Sequence, residues 1–334
     1  MRYNNLHHVR VLPVNLVVCL GVPFHTSSGN HSSPANAEIM FMNRINYLAP
    51  ADWNEALDMK TNCPDAFPLA GGTDILLQMK EGRRRVESLM SLRRIRDAHT
   101  LRDGEDALML GPTVKAAQLE HDNHIQSAYT ALAMGAHLIG SVQIRNMATV
   151  GGNLCNAAPS ADMAPPLLVF DTQALIASAN QERRAVLCGF FQGPGRTVLA
   201  PNELLVGMAV PHLPAHSGST YLRHTPRAWM DIAVVGVAAM VTLNQTDHVV
   251  SARIALGAVA PVPMRALEAE NLLIGQVLSD DLLCEVGEAA AQAARPIDDL
   301  RASAAFRRHL VSVLTQRALR GAWARARRNG GQVN

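Results

Sequence analysis

Apolar positions change their spacing several times along the chain, and each change marks an element. Asp52-Trp53-Asn54-Glu55 sets an acid at a helix N-cap with a carboxylate three residues on, the pattern of a capping box. Trp53, Ala56 and Leu57 then recur at helical spacing. Asp65 to Leu69 predicts a short strand and Asp74 to Lys80 a helical turn. Val86 to Ile95 and Ala107 to Thr113 predict strands, separated by the turn Asp103-Gly104-Glu105-Asp106. Thr113 is placed to cap a helix over Val114 to His121, and Ser127 to Leu138 predicts another. Leu167 to Phe170 and Ala174 to Ser178 are apolar. The glycine-proline loop Phe190 to Arg196 leads to Glu203-Leu204-Leu205-Val206 and a strand ending at Pro211. After a linker over Leu213 to Ser219, Ile232 to Leu243 and Val249 to Val259 have the β-branched content of paired strands. Ala266 to Leu273 and Asp280 to Ala294 predict helices. A last helix carries Phe306, Leu310, Val313, Leu314 and Ala318 as an apolar stripe, with arginines on a solvated face.

The first forty residues break this order. Val9 to Phe24 is apolar but interrupted by Pro13 and Pro23, and His25 to Ala37 has a disordered composition. Two readings stand: a secretory signal with Arg2 and Arg10 ahead of its apolar core, or an extension preceding a start at Met40 or Met42. The chain thus divides into residues 1–40, a first domain over 41–213 with lobes about 41–96 and 97–213, and a second domain over 219–328.

At 334 residues the chain suits two domains, and 48% hydrophobic residues suffice for their cores. A net charge of +2 demands neither nucleic acid nor an anionic membrane. No run reaches the roughly 20 apolar residues that span a bilayer. Arg83-Arg84-Arg85 reads as a solvated turn. The five cysteines are scattered without a C-x-x-C pair, which argues against a zinc or cysteine-ligated cluster site and suits a reducing cytoplasm.

Chemistry concentrates in two short stretches. Ala70-Gly71-Gly72-Thr73-Asp74 and Thr149-Val150-Gly151-Gly152-Asn153 share an apolar entry, a double glycine and small polar residues. Without Cβ atoms the glycines can take φ > 0 and approach a ligand closely, and successive backbone N–H groups in such turns cradle phosphate. Two phosphates of a dinucleotide need two cradles or one long one. A helix starting behind the first loop adds its dipole. Asp162, nine residues past the second loop's last polar residue, is placed to accept from ribose or ribityl hydroxyls.

Together these stretches, over Phe41 to about Arg328, resemble the FAD-binding medium subunits of the xanthine dehydrogenase and carbon monoxide dehydrogenase family, the flavoproteins of molybdenum hydroxylases. The resemblance implies an α+β fold: a two-lobed FAD-binding domain of the PCMH type, then a C-terminal α+β domain with a three-stranded antiparallel sheet and helices. It implies FAD held by Ala70, Gly71, Gly72, Thr73 and Asp74, by Thr149, Val150, Gly151, Gly152 and Asn153, and by Asp162, with Leu205 lining the pocket. Arg223 stands where relatives carry a basic residue near the flavin ring; its alternative reading is a surface ion pair with Asp231 or a glutamate. Ile139 and Ile144 are candidates for an apolar wall, with core packing as the alternative. Cys155 reads as buried and inert. No nucleophile–base pair or metal cluster is expected, because flavin chemistry belongs to the cofactor.

The implied function is electron transfer. A small subunit with two [2Fe-2S] clusters would deliver electrons to this FAD from a large subunit carrying the molybdenum cofactor, in a dimer of heterotrimers. The external acceptor would be NAD+, oxygen or a quinone. A non-catalytic scaffold that keeps the fold, and a solitary flavoenzyme, are the alternatives.

Overall fold

The computed structural model describes residues 44–228 and 230–330. The leading segment 1–40, with its two readings, lies outside the described residues, as does Trp229.

The first sheet joins β1 (Asn46–Leu48), β2 (Phe67–Leu69) and β3 (Ser88–Ser91) in the order β1-β3-β2, with both pairings parallel. The parallel neighbours β2 and β3 need a crossover, which passes through the helix Ile75–Lys80, while β1 is joined to the opposite edge strand β2 through the helix Trp53–Asn62. Its capping box forms: Asp52 accepts from the Glu55 N–H at 2.9 Å, and Glu55 accepts from the Ala51 N–H at 2.6 Å. Ala56 and Leu57 turn inward onto Met90 and Ile95. The helix Ile75–Lys80 follows the first glycine loop.

The second sheet holds β4 (Leu101–Asp103), β5 (Ala107–Leu110), β6 (Gln173–Ala177) and β7 (Glu182–Val186). A small hairpin, β8 (Phe191–Gly193) with β9 (Arg196–Thr197), precedes β10 (Leu204–Pro211). The order β4-β5-β10-β6-β7 is antiparallel throughout and centres on β10. The glycine-proline loop expected at 190–196 is this hairpin, its turn made by Gly195 at φ 70°.

Between β5 and β6 the chain makes a layer of short helices that packs on the third sheet. That sheet runs β11 (Ser217–His224), β12 (Val235–Leu243), β13 (Val249–Gly257) and β14 (Met264–Arg265), all antiparallel. β12 and β13 are the paired strands expected, β11 completes the three-stranded sheet that the resemblance implies, and β14 adds a two-residue edge. All nine residues of β12 are buried. Alternation sends Val235, Val237, Ala239, Val241 and Leu243 into a core shared with the helices Leu267–Leu273, Asp280–Ala293 and Ala304–Gly330. Ala238 and Met240 face the opposite way, into the core of the second lobe with Phe170 and Leu132. Burial of each large apolar side chain contributes roughly 1.5–3 kcal/mol.

Four expectations shift. Thr113 caps no helix; its hydroxyl donates to the Ala98 carbonyl at 2.7 Å, and the helix begins at Ala116 behind Lys115. The helix expected over 127–138 is two, Asn123–Ala128 and Thr130–His137, hinged at Tyr129. Tyr129 is buried there, and its hydroxyl donates to the Pro211 carbonyl at 3.2 Å. The linker is shorter than expected, because β11 already starts at Ser217. On the last helix the buried face is Arg307, Val311, Leu314, Thr315, Ala318, Leu319, Ala322 and Ala326, whereas Phe306 is exposed. Arg307, expected on the solvated face, donates to the Val234 and Ala258 carbonyls at 2.7 and 3.1 Å and to Asp299 at 2.8 Å.

Candidate functional site

A cleft of about 780 Å³ opens where the first lobe, the second lobe and the connection between β11 and β12 meet. Both glycine stretches border it. A Cβ placed on Gly71 would stand 2.2 Å from the Met147 carbonyl oxygen and 3.2 Å from the Ala148 Cα. The first stretch is therefore in direct backbone contact with Met147 and Ala148, the two residues that lead into the second, and only glycine admits it.

The two differ in what they offer. In the first, Gly72 takes φ 81°, and the N–H groups of Gly71, Gly72, Thr73 and Asp74 find no acceptor among the described residues. Gly71, Gly72 and Thr73 are half-buried and Asp74 exposed, and four consecutive N–H groups without a protein acceptor at a cleft make a concavity suited to an anion. Arg93 braces this loop through the Ala70 and Gly71 carbonyls at 3.4 and 3.5 Å. Thr73 donates to Asp74 at 3.4 Å, and partial burial raises the Asp74 carboxyl above its usual range.

The second stretch is not a turn of positive φ. It is the start of the helix Val150–Cys155, with Thr149 as N-cap accepting from the Gly152 N–H at 3.1 Å. Its remaining early donors are also taken: Val150 N–H goes to the Val114 carbonyl at 2.9 Å and Gly151 N–H to that of Pro112 at 3.0 Å. Gly151 is required by packing, since a Cβ there would lie 2.5 Å from the Pro112 Cβ. At Gly152 a Cβ would meet only Thr149 Oγ1, at 2.9 Å. This stretch contributes shape and the Asn153 amide, whose oxygen accepts from the Met163 N–H at 3.4 Å. Of the two arrangements expected, two cradles or one long one, the open donors of the first stretch and the committed donors of the second favour one cradle beside a closely packed wall. Val150 leaves the wall altogether: its side chain is fully buried in the second lobe's core and does not border the cleft.

The other expected residues converge here. Ala70, Asp162, Leu205 and Arg223 border the cleft, and so do Ile139 and Ile144. Asp162 is 8% exposed and saturated. One oxygen accepts from the Tyr221 hydroxyl at 2.8 Å, the other from the Arg223 guanidinium at 2.5 Å. Burial pushes its carboxyl up to about 6, against the opposing pull of Arg223 and Tyr221. Arg223 thus pairs with neither Asp231 nor a glutamate; Asp231 is held by Arg227 instead, at 3.3 Å. Burial pushes the Cys155 thiol up to about 12, so it stays protonated and inert.

Sequence reasoning missed Lys60, Arg93 and Tyr221. Lys60 is buried at the cleft with its ammonium on the Pro64 and Ala66 carbonyls at 2.5 and 2.8 Å. Local pattern carried no sign of Lys60 and Arg93, whose partners are carbonyls in turns. For Tyr221 one signal was present: spacing by two from Arg223 on a strand puts both on one face.

A donor-lined hollow, a glycine-mediated backbone contact and a cleft of about 780 Å³ suit a nucleotide cofactor. Comparison with known proteins gives the family. The FAD binding domain in molybdopterin dehydrogenase matches residues 43–213, and the CO dehydrogenase flavoprotein C-terminal domain matches 220–322. The xanthine dehydrogenase FAD-binding subunit of Escherichia coli O157:H7 is 34% identical over 282 residues, covering 84% of this chain and 96% of that protein. The carbon monoxide dehydrogenase medium chain of Hydrogenophaga pseudoflava is 29% identical, covering 84% and 98%. Among solved structures, carbon monoxide dehydrogenase from the same organism superposes with a TM-score of 0.82 at 30% identity, covering 86% of this chain and 99% of its counterpart. Quinoline 2-oxidoreductase from Pseudomonas putida 86 gives 0.80 at 26% identity. The chain belongs to the FAD-binding subunits of xanthine and carbon monoxide dehydrogenase-type molybdenum hydroxylases, and is an oxidoreductase subunit. Among the described residues no helix is long and apolar enough to cross a membrane.

Proposed function

We propose that this chain is the electron-transfer subunit of a molybdenum hydroxylase. It receives electrons from the [2Fe-2S] clusters of a small subunit and hands them to an external acceptor, while a large subunit carries the molybdenum cofactor. The working assembly is a dimer of such heterotrimers in the cytoplasm. One observation carries the reading: the open N–H groups of Gly71, Gly72, Thr73 and Asp74 lie at a cleft that the second glycine stretch also borders, with Gly71 in backbone contact with Met147 and Ala148 just ahead of it.

The residues fit FAD. The Gly71–Asp74 donors would hold the diphosphate, and the uncrowded face of Gly152 leaves room beside it. Asn153 and the Asp162 region would face the sugar and ribityl hydroxyls, while Leu205, Ile139 and Ile144 supply apolar walls that exclude water. Bound there, FAD supplies the exchange between one-electron and two-electron chemistry. Arg223 brings a cation to the cleft, and Asp162 fixes its place.

The test is co-expression with neighbouring large and small subunits. A purified complex should contain molybdenum, iron and a flavin absorbance that bleaches on adding substrate. A lone yellow protein would point to a solitary flavoenzyme, and a colourless assembled complex to a scaffold.

A further inference from the structure

Tyr221 does not border the cleft, yet it reaches the cleft's buried carboxylate from behind. It is 1% exposed and lies two residues before Arg223 on β11, so both side chains leave the same face of the strand. Each takes one oxygen of Asp162, which belongs to the other domain. The opposite strand is adapted to this contact. Gly236, paired with Arg223 across β11 and β12, interrupts a strand otherwise rich in valine and alanine. A Cβ at Gly236 would lie 2.5 Å from the Tyr221 hydroxyl oxygen. Glycine weakens a strand interior, so its presence here is explained by the space the hydroxyl needs.

We propose that Tyr221 is a positioning residue that keeps Asp162 ionised, so that Asp162 and Arg223 together present no net charge to the flavin. This rests on the FAD reading above. The physical reason is that a buried carboxylate persists only while its oxygens are hydrogen-bonded. Without the tyrosine hydroxyl one oxygen loses its donor, the carboxyl takes up a proton, and the Arg223 charge is left uncompensated beside the cofactor. When the flavin takes up two electrons with one proton it gains one negative charge. An uncompensated cation therefore favours the reduced form and makes its potential more positive.

Glu120, His121 and His137 border a second hollow together with Tyr221 and Arg223, and there Glu120 is held by Arg145 and His137. On the glycine helix Cys155 is a neutral thiol, and from the β11–β12 connection Asp231 is committed to Arg227. Lys60, Asp74, Arg83 and Glu203 also border the cleft, with Lys60 bound to carbonyls and Glu203 to Arg183.

Two measurements on the full chain test this. The first follows the Asp162 carboxyl by carbon-13 NMR of aspartate-labelled protein without flavin, assigned with Asp162→Asn. Tyr221→Phe should make protonation at least tenfold more favourable, moving the midpoint up by one pH unit or more. The second is potentiometry of the flavin-loaded protein, where Tyr221→Phe should give a more positive potential at pH 7.5 and move the break in its pH slope upward. Should Tyr221→Phe fail to fold, Asp162→Asn must itself give the more positive potential at pH 7.5, with the contribution of Asp162 to the pH slope lost and only that of the reduced flavin's own ionisation left. An unchanged Asp162 titration with an unchanged potential, in protein that binds FAD normally, overturns the inference alone. Wild-type protein that binds no FAD overturns the functional reading with it.

Discussion

Gly71 and Gly152 both border the cleft, and adding one methyl to each should have unequal effects on stability but the same direction of effect on cofactor binding. At Gly71 the new Cβ would stand 2.2 Å from the Met147 carbonyl oxygen, where ordinary contact begins near 3.4 Å. The Gly71 loop and the backbone of Met147 and Ala148 must separate by about 1.2 Å. Overpacking of this kind costs about 1–3 kcal/mol of stability. The separation also withdraws at least one N–H from the diphosphate, and a hydrogen bond to a charged group contributes about 1.5–3 kcal/mol, so Kd should rise roughly 10- to 150-fold. At Gly152 the new Cβ meets only the Thr149 hydroxyl, at 2.9 Å. Helix propensity favours alanine there by about 1 kcal/mol, against a comparable loss if the cap is disturbed. Stability of Gly152→Ala should therefore stay within about 1 kcal/mol of wild type, while the methyl takes space beside the cofactor and weakens FAD. Urea denaturation of flavin-free protein gives the first quantity, and flavin fluorescence titration gives the second. Gly152→Ala binding FAD as tightly as wild type, or Gly71→Ala as stable as wild type, would refute the geometry.

Further outcomes follow from buried charge. Asp162 titrates near 6 in the fold against 3.8 when unfolded, so the folded chain holds more protons between those values and its contribution to stability falls as pH rises through the window. The span of about two units amounts to about 3 kcal/mol; Asp162→Asn lacks that slope, so the stability difference between variant and wild type, from urea curves at pH 4 and 6.5, should shift in the variant's favour by about that amount as pH rises. Glu203 behaves in the opposite sense. Its hydrogen bond with Arg183 holds the carboxyl below its usual range, so stability is gained above that range and lost as pH falls; Glu203→Gln should flatten acid unfolding. Arg307→Ala strands Asp299 and two buried carbonyls, and thermal unfolding should show a loss of about 2–5 kcal/mol.

The elements most legible in the sequence were those fixed by local chemistry. The Asp52–Glu55 capping box, the long alternating strands of the third sheet and the first glycine loop all follow from neighbours within a few residues. What stayed hidden depends on contacts distant in the chain. Gly151 and Gly152 look like a turn, but Thr149 caps them into a helix because Pro112 packs against Gly151. The partner of Arg223 was sought nearby at Asp231 and lies 61 positions back at Asp162. Arg307 carries a charge and so reads as solvated, although three acceptors from other segments make its burial possible.

Strand β12 has no solvent side: one row of its side chains completes the helical core behind it, and the other row completes the core of the lobe in front. A single nine-residue segment is therefore a party wall. Cutting the polypeptide near residue 213 would bare apolar surface on the amino-terminal piece, and the carboxyl-terminal piece would lose the lining of its own sheet. The two halves should melt together in one transition, and any exchange of modules among relatives must carry both halves as one inheritance.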